Sequence, residues 1–269
     1  MRVMTWNLWW HFGDHEARWP RIVETIRSVD PDVLCLQEVW SNDHGADDVE
    51  RLATELGFHA ARTDPLFWNG QSFGNAVVSR WPVERIADER LPRADGELSH
   101  RRVVAAAAAT PWGRWPVAST HLDHRFDASA DRTAQLRRVM ELAIDWRGDP
   151  DDDLPVVLGA DLNAVPDSDE VRMLTGRSPG VRGIVFSDAW EQSADDPNNP
   201  TGTTWVRDNP ASRNSAWPDR RLDYVLVSWP RSKPVGNPIR ARTTGGPSST
   251  DGLWPSDHLA VVVDVVTPE

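Results

Sequence analysis

The stretch PVVLGADLNAVPDS, residues 155–168, carries the pattern from which the fold and the function of this chain are predicted. Its apolar run 155–159 has the length of a buried strand, and Asp161 and Asn163 follow at once. In α/β proteins the space above such a strand end is where ligands bind. Taken alone, the two polar residues could equally form an Asx turn, so the rest of the chain must repeat the pattern before it indicates a site.

Short apolar runs alternate with helical stretches on both sides of this segment, as in a layered α/β protein. The runs 105–110 and 116–120 flank a Pro-Trp-Gly-Arg turn and predict an antiparallel hairpin. No repeat or linker interrupts the chain, which predicts one domain over residues 1–269. Strands are predicted at 1–8, 33–37, 75–79, 103–110, 117–121, 155–159, 222–228 and 259–265, helices at 18–28, 49–56 and 128–146, an acidic turn at 149–153, a surface loop at 191–220 and an irregular stretch at 230–256.

Polar side chains recur where these apolar strands stop. Each has an ordinary explanation by itself: an asparagine can cap a turn, an aspartate can pair with a neighbouring arginine, and a histidine can belong to the core. Their joint occurrence at six separate strand ends favours one shared site above the sheet edge. The residues are Asn7, Glu38, His121, Asp161 with Asn163, Asp223, and Asp257 with His258.

The chemistry of this set points to a divalent metal and a phosphate ester. Carboxylate and amide oxygens are ligands for Mg²⁺ or Mn²⁺, whereas the chain has no HExxH motif and one cysteine, which argues against zinc. No glycine-rich phosphate loop precedes a Lys-Ser or Lys-Thr pair, Lys233 is the only lysine, and no G-x-S-x-G elbow is present. A metal–oxygen site with a histidine suits hydrolysis of a phosphate ester, because the metal takes up developing charge and helps to deprotonate water.

The overall composition limits the kinds of partner that the protein is expected to bind. Twenty-nine basic residues against 41 acidic ones give a net charge of −12, which disfavours a processive nucleic-acid enzyme but leaves a metal-bridged one open. No apolar run is long enough to cross a bilayer, no signal peptide is evident, and the lone Cys35 allows no intrachain disulfide. The expectation is a cytoplasmic protein without a membrane span, and nothing in the sequence demands more than a monomer.

Tryptophan is unusually frequent, with 15 residues against a single tyrosine. Most of these rings are expected to fill the core or the bases of loops. The alternative is that some of them rim a pocket and stack on a planar or sugar-like ligand. The candidates are Trp9, Trp10, Trp68 and Trp205.

Eight segments, taken in order, resemble the successive motifs of the endonuclease/exonuclease/phosphatase superfamily over nearly the whole chain. That resemblance implies a four-layer α/β sandwich, in which two packed mixed sheets are flanked by helices and the site lies in a cleft at the top. The segments are MTWNLWW (4–10), LQEVW (36–40), GNAVVSRWPV (74–83), STHLDH (119–124), GADLNAVPDS (159–168), TGTTW (201–205), RLDYVLVS (221–228) and SDHLAVVVDV (256–265).

The resemblance also implies roles. Glu38 would be the principal metal ligand, with Asn7 beside it and Asp257 as a second carboxylate. The catalytic set would be Asp161 to orient or deprotonate water, Asn163 to bind phosphoryl oxygens, His258 on the scissile phosphate with Asp223 holding its ring, and His121 to stabilise the transition state or assist the leaving oxygen.

Substrate contacts are less firmly indicated. Trp205 resembles the substrate-side aromatic residue of the superfamily, and Arg102, its neighbour Arg101 and His124 could reach a phosphate. The acidic charge and the scarcity of lysine favour a small or lipid-like phosphodiester or phosphomonoester, with an endo- or exonuclease as the alternative. A catalytically silent binding module is disfavoured, because every residue that carries catalysis in the superfamily is present.

Overall fold

A computed structural model describes residues 1–150 and 153–268 of the protein. These residues form twelve strands and five helices in an order that begins and ends with a strand. The strands are β1 (Arg2–Asn7), β2 (Val33–Asn42), β3 (His59–Arg62), β4 (Gln71–Ser79), β5 (Val83–Pro92), β6 (Leu98–Thr110), β7 (Gly113–His121), β8 (Val157–Asp161), β9 (Val185–Asp188), β10 (Asp223–Trp229), β11 (Pro238–Thr244) and β12 (Ala260–Val265), and the helices are α1 (His15–Val29), α2 (Asp48–Leu56), α3 (Ser129–Trp146), α4 (Asp169–Leu174) and α5 (Ala189–Ser193).

The strands make two six-stranded sheets, each of mixed direction. The first has the order β11-β12-β1-β2-β4-β3 and the second β5-β6-β7-β8-β10-β9. In the first sheet β1 is parallel to β2 and antiparallel to β12. In the second, β8 is parallel to β7 and antiparallel to β10. The predicted hairpin is confirmed, since β6 pairs with β7 with Ala105 opposite Ala118.

Apolar side chains divide the molecule into layers. Helix α1 buries Trp19, Ile22 and Ile26 on the outer face of the first sheet. Helix α3 buries Leu136 and Met140 on the outer face of the second sheet. A third cluster of mainly valine and alanine side chains lies between the sheets, where β-branched residues pack well on pleated surfaces. The predicted four-layer α/β sandwich is therefore confirmed.

The two sheets are in close contact below the strand ends that carry the polar residues. Gly159 of β8 faces Cys35 of β2, and a Cβ atom added at Gly159 would collide with the Cys35 side chain and crowd Thr5. The absence of a side chain at position 159 lets β8 lie close against β1 and β2. This contact brings the polar ends of strands from the two sheets into one cluster.

Several edge elements differ from the prediction. Strand β5 was not predicted because its sequence, VERIADERLP, is charged and mostly solvent-facing, and β11 lies inside the stretch 230–256 that was predicted to be irregular. Residues 191–220 are not simply a surface loop either. Their Thr204 and Asn209 are buried, and the Asn209 side chain donates to the Ser256 carbonyl at 2.8 Å. A polar residue that is buried and hydrogen-bonded to the backbone cannot be distinguished from an exposed loop residue by sequence alone.

Two sequence expectations concern features outside the sheets. The acidic turn predicted at 149–153 includes residues 151 and 152, which lie outside the described residues. Across 1–150 and 153–268, no helix has both the length and the apolar character needed to cross a membrane.

Candidate active site

The predicted polar residues converge at one edge of the two sheets, although not all of them follow a strand. Asn7, His121 and Asp161 end β1, β7 and β8, as predicted. Asp223 instead begins β10, and His258 precedes β12. Because β10 and β12 run antiparallel to β8 and β1, their starting ends lie at the same edge. The prediction that every residue of the set stands where a strand stops was wrong for Asp223, Asp257 and His258, and also for Glu38, because β2 continues to Asn42.

Glu38 reaches the cluster through an irregularity in β2. The register between β2 and β4 shifts between Gln37 and Val39, and Glu38 has a φ of 53°, a region that non-glycine residues rarely occupy. Asn7 Nδ2 donates to Glu38 Oε1 at 3.2 Å and, across the gap between the sheets, to Asp161 Oδ2 at 3.0 Å. The amide oxygen of Asn7 accepts the Trp9 backbone N–H. In this arrangement Asn7 orients two carboxylates.

Asp161, Asn163 and His121 form a second group. Asn163, with a φ of 49°, donates its backbone N–H to Asp161 Oδ1 at 2.9 Å. Its side-chain Nδ2 lies 3.0 Å from His121 Nε2, which in turn lies 3.5 Å from Asp161 Oδ2. If Asn163 Nδ2 donates to Nε2, the His121 proton is on Nδ1, which lies 3.8 Å from Glu38 Oε1.

His258 and Asp223 form a buried pair. His258 Nδ1 lies 2.8 Å from Asp223 Oδ2, and the opposite ring nitrogen, Nε2, lies 3.9 Å from Asp161 Oδ2. The backbone around the histidine is held as well, because Trp6 Nε1 donates to the His258 carbonyl at 3.0 Å. The ring is therefore fixed with Nε2 directed towards Asp161.

Burial of this many carboxylates in one place shifts their pKa values upward. Desolvation, followed by the charge of Asp257, raises the pKa of Glu38 to about 8. Desolvation and the nearby Asp223 raise the pKa of Asp161 to about 6. The pKa of Asp257 is raised by burial too. A bound cation would lower all three, because it favours the ionised carboxylates.

The two histidines shift in opposite directions. Burial by itself lowers the pKa of His258, but the charges of Asp223, Asp257 and Asp161 raise it well above its usual value. Burial, reinforced by the positive charge of Arg101, places the pKa of His121 well below its usual value. At neutral pH the site therefore pairs a protonated His258 with a neutral His121, which are suited to different tasks.

The donor set fits a divalent metal. Glu38 Oε2 is buried and has no hydrogen-bond partner, which is costly for a carboxylate oxygen unless a cation occupies the space beside it. Glu38 and Asp257 supply hard oxygen ligands of the kind that Mg²⁺ and Mn²⁺ prefer. Ligand atoms of Asp161, Asp223 and His258 also lie within 4.8 Å of one another, but the Nδ1 of His258 is already bound to Asp223.

A cavity of about 590 Å³ opens above this cluster. Six of the eight predicted catalytic and metal-binding residues line it, whereas Asn7 and Asp223 lie behind them. The predicted substrate residues Trp205, Arg102 and His124 also line it, but Trp9, Trp10 and Trp68 do not. The lining residues are Phe12, Glu38, Leu66, Phe73, His100, Arg101, Arg102, His121, His124, Phe126, Asp161, Asn163, Trp205, Arg220, Leu222, Asp257 and His258.

Within the described residues, Arg101 has no carboxylate partner, whereas Arg102 is already paired. Neighbouring residues of a strand face opposite sides, and here Arg102 turns to Asp88, with Nη2 2.6 Å from a carboxylate oxygen. Arg101 is 5% exposed, and its Nε and Nη1 have no hydrogen-bond partner. Its Nη2 lies 3.0 Å from His124 Nδ1, so the His124 imidazole contacts the Arg101 guanidinium. The sequence named both arginines without showing which one is free.

An aromatic rim stands beside the mouth of the cavity; it consists of Phe126, Trp205, Trp217 and Arg220. The Arg220 guanidinium lies 5.1, 5.0 and 5.6 Å from the ring centroids of Phe126, Trp205 and Trp217. The rings of Phe126 and Trp217 are 4.7 Å apart and are 58% and 44% exposed. Apart from Trp205, the sequence did not reveal this rim, because Phe126 comes from the β7–α3 connection and the other members from the connection between α5 and β10.

Known proteins resemble this chain in sequence and in structure. Human Nocturnin is 26% identical over 270 residues, which cover 93% of this chain and 58% of that protein. Protein angel of Drosophila melanogaster is 27% identical over 180 residues, covering 63% of this chain and 49% of that protein. The chain thus spans less than two thirds of the length of either relative.

Solved structures agree with the sequence relatives. The human Nocturnin catalytic domain with bound sulfate anion superposes with a TM-score of 0.71 at 26% identity, covering 100% of this chain and 93% of that one. An endonuclease/exonuclease/phosphatase from Beutenbergia cavernae gives a TM-score of 0.70 at 26% identity, covering 99% and 71%. Residues 4–258 match the Endonuclease/Exonuclease/phosphatase family as a whole. The predicted family is confirmed: this chain belongs to the Endonuclease/Exonuclease/phosphatase family.

Proposed function

We propose that this protein is a hydrolase of phosphate esters that depends on Mg²⁺ or Mn²⁺. The observation that carries the proposal is the position of the Asp161 carboxylate. It accepts a hydrogen bond from Asn7, lies 3.5 Å from His121 Nε2 and lies 3.9 Å from His258 Nε2, all at the base of the cavity. Hydrolysis needs a base for water and positive donors for the phosphoryl oxygens, and these groups meet here.

Asp161 is the proposed base. Its pKa of about 6 makes it ionised and still basic at neutral pH, which is the range in which a general base works best. The Asn7 and Asn163 contacts fix the direction of both of its oxygens. A water molecule held by the Asp161 carboxylate would lose its proton to this residue as it attacks phosphorus.

His258 and Arg101 are the proposed donors to the phosphoryl group. His258 is protonated at neutral pH because three carboxylates surround it, so its Nε2–H can donate into the cavity. Arg101, which also lines the cavity, adds a second, desolvated positive charge. Donors that are held in place before the reaction stabilise the charge that develops in the transition state without reorganising. Asn163 supplies a further amide N–H beside His121.

Glu38 and Asp257 are the proposed metal ligands, and Asn7 holds Glu38 in position. When bound there, a divalent cation would neutralise negative charge on the phosphate and on the leaving oxygen. Burial of their negative charges raises the pKa values of Glu38 and Asp257 when no metal is bound. A bound cation would offset this charge. Metal binding would therefore release protons and would weaken as the pH falls.

The cavity favours a small substrate. Its volume of about 590 Å³ lies within the range of roughly 300–1,000 Å³ that small-molecule sites span. The net charge of −12 opposes long-range attraction of a polyanion. The human Nocturnin catalytic domain has been solved with a sulfate anion, which has the shape of a phosphate. We therefore favour a small or lipid-like phosphodiester or phosphomonoester.

A nuclease is the second candidate, and the aromatic rim is the observation in its favour. Exposed rings beside a guanidinium provide stacking surfaces for bases, which bind such surfaces with little regard to sequence. A single-stranded end could place its terminal phosphate in the cavity and its base on the rim. The two candidates share the catalytic residues and differ in what lies beyond the phosphate.

The proposal is tested by turnover of bis(p-nitrophenyl) phosphate, p-nitrophenyl phosphate, a single-stranded oligonucleotide and plasmid DNA with Mg²⁺ or Mn²⁺. We expect hydrolysis of at least one substrate, its loss in EDTA, and a loss of about 100-fold or more in Asp161→Asn. Asp145→Asn, on the exposed face of α3, is the matched control and should keep full activity. Activity that survives both EDTA and the Asp161→Asn substitution would disprove the assignment, and preferential cleavage of nucleic acid would favour the nuclease.

A further inference from the structure

A cluster of two histidines and one glutamate lies on the segment that joins β1 to α1. His11 belongs to the connecting segment, and His15 and Glu16 open the helix. Ligand atoms of the three side chains lie within 4.8 Å of one another. None of the three lines the catalytic cavity, so the role proposed for that cavity leaves the cluster unexplained.

His15 is arranged as a metal-binding histidine would be. The residue is 4% exposed, and its Nε2 lies 2.9 Å from Asp48 Oδ2. Because an ionised carboxylate accepts only, the proton is on Nε2 and Nδ1 carries a lone pair. That Nδ1 is buried and has no hydrogen-bond partner within residues 1–150 and 153–268. A carboxylate behind a histidine, with the other ring nitrogen directed at an ion, is the usual support of metal-bound histidines.

The other two side chains lie beside the His15 ring. Glu16 Oε1 lies 3.5 Å from His15 Nδ1. The His11 ring centroid lies 4.3 Å from that of His15 and 4.3 Å from that of Trp40, on which it stacks with an interplanar angle of 20°. Trp40 thus limits the freedom of the His11 ring. The exposed Glu16 directs Oε1 to His15, while its Oε2 lies 3.5 Å from Arg51 Nη1.

We propose that His11, His15 and Glu16 form a second metal site, distinct from the catalytic one, for Zn²⁺ or a similar first-row transition ion. Two imidazole nitrogens and one carboxylate oxygen match the ligand preference of Zn²⁺ rather than that of Mg²⁺, which prefers oxygen. Water would complete the coordination. Asp48 is the positioning residue that orients the His15 ring and holds the tautomer with the proton on Nε2.

The ion would hold a strained segment that leads into the cavity wall. Trp9 and Trp10 have φ values of 60° and 39°, which bulky residues seldom adopt. Phe12, which lies between His11 and His15 in the chain, lines the catalytic cavity. Arg18 already fixes this segment by donating to the carbonyls of Leu8, Trp9, Trp10 and Phe12. Bound Zn²⁺ would join His11, next to Phe12, to the first turn of α1.

Calorimetric titration of Zn²⁺ into the full chain, with excess Mg²⁺ to occupy the catalytic site, tests the proposal. One equivalent of Zn²⁺ should bind to the wild type and to the control His44→Ala, which alters another surface histidine. His11→Ala should lose this binding, and Asp48→Asn should weaken it by about 10- to 100-fold. Identical Zn²⁺ titrations of wild type and His11→Ala would overturn the proposal, whatever the outcome of the hydrolysis assays.

Thermal unfolding gives a second readout that does not depend on turnover. Zn²⁺ should raise the unfolding midpoint of the wild type and of His44→Ala, because an ion that binds only the folded chain stabilises it. It should leave the midpoint of His11→Ala unchanged. Circular dichroism of His11→Ala without metal would show whether the variant is folded, and Glu16→Gln, at an exposed position, provides an independent test if it is not. An equal Zn²⁺-induced rise in wild type and in a folded ligand variant would contradict the site.

Discussion

The floor and the rim of the cavity are built in different ways. The floor consists of residues at strand ends, and the strand register fixes their positions: Asp161 is opposite both His121 and Asp223 in the second sheet. Each of these side chains has at least one polar contact at a defined distance. The aromatic rim comes from loops. Its centre, Arg220, is held against the rings by cation–π contacts, which are less directional than hydrogen bonds.

Because of this difference, the floor is suited to the chemical step and the rim to recognition of the substrate. A reaction at phosphorus requires the base and the donors to be held within a fraction of an ångström, and paired strands can do that. Recognition of the group beyond the phosphate tolerates adjustment, which exposed rings on loops allow. Substitutions in the floor should therefore lower the maximal rate, whereas substitutions in the rim should change the affinity for particular substrates.

The largest effect is expected from Asp223→Asn. This substitution removes the negative charge beside His258 and keeps the size and shape of the side chain at position 223. We expect a fall in kcat of about 100-fold, at the upper end of what such supporting carboxylates contribute. The charge of Asp223 raises the pKa of His258, so its removal lowers that pKa. If hydrolysis requires protonated His258, activity is present below this pKa and is lost above it. The alkaline limb of the rate–pH profile should therefore move to lower pH.

The control for this profile is Asp145→Asn, which changes the net charge equally but lies on the exposed face of α3. Its alkaline limb should coincide with that of the wild type. An Asp223→Asn enzyme whose limb also stays in place would show that His258 does not act as the protonated donor.

A smaller effect is expected from Arg101→Met, which removes the free charge from the cavity wall but keeps most of the side-chain length. Loss of one charge-assisted hydrogen bond costs about 1.5–3 kcal/mol, so kcat/KM should fall by roughly 10-fold or more. Stability should be unchanged or higher, because Arg101 is buried with Nε and Nη1 unpaired. Both quantities are measurable on the same preparation, by initial rates and by thermal unfolding.

Arg102→Met is the matched comparison and should give the opposite pattern. Arg102 is the closer of two cations beside Asp88, whose side chain is 6% exposed. Its loss leaves this carboxylate only the contact with Arg85 at 3.6 Å and lowers the unfolding midpoint. If both variants had the same effect on turnover and on stability, the distinction between a free and a paired arginine would be wrong.

The sequence predicted the floor better than the rim, for a physical reason. Apolar strand runs followed by polar residues are visible locally, so Asn7, His121 and Asp161 could be identified one at a time. Asp223 and His258 required knowledge of strand direction, which their own segments do not contain. The turn of Glu38 into the site depends on a β-bulge, and nothing in the run 33–37 marks where the register shifts.

The elements of the fold that were not predicted also lack a signal in their local sequence. Edge strands β5 and β11 face solvent over much of their length, so their apolar pattern is weak, and their pairing partners rather than their composition make them strands. The aromatic rim joins positions 126, 205, 217 and 220, which only the tertiary structure brings together. Trp205 was identified through the family resemblance, while Trp217 resembled any other loop tryptophan.

The smallest effect, and the sharpest test of the rim, is expected from Trp217→Ala. Stacking of a planar group on an exposed ring contributes on the order of 1 kcal/mol at its weakest, so KM for a substrate with a planar leaving group should rise by about fivefold with kcat unchanged. A substrate without a ring should be unaffected. Trp229→Ala, at the far end of β10 and 52% exposed, is the control. Equal KM changes for ring-bearing and ring-free substrates would assign Trp217 to the shape of the cavity mouth instead of to recognition.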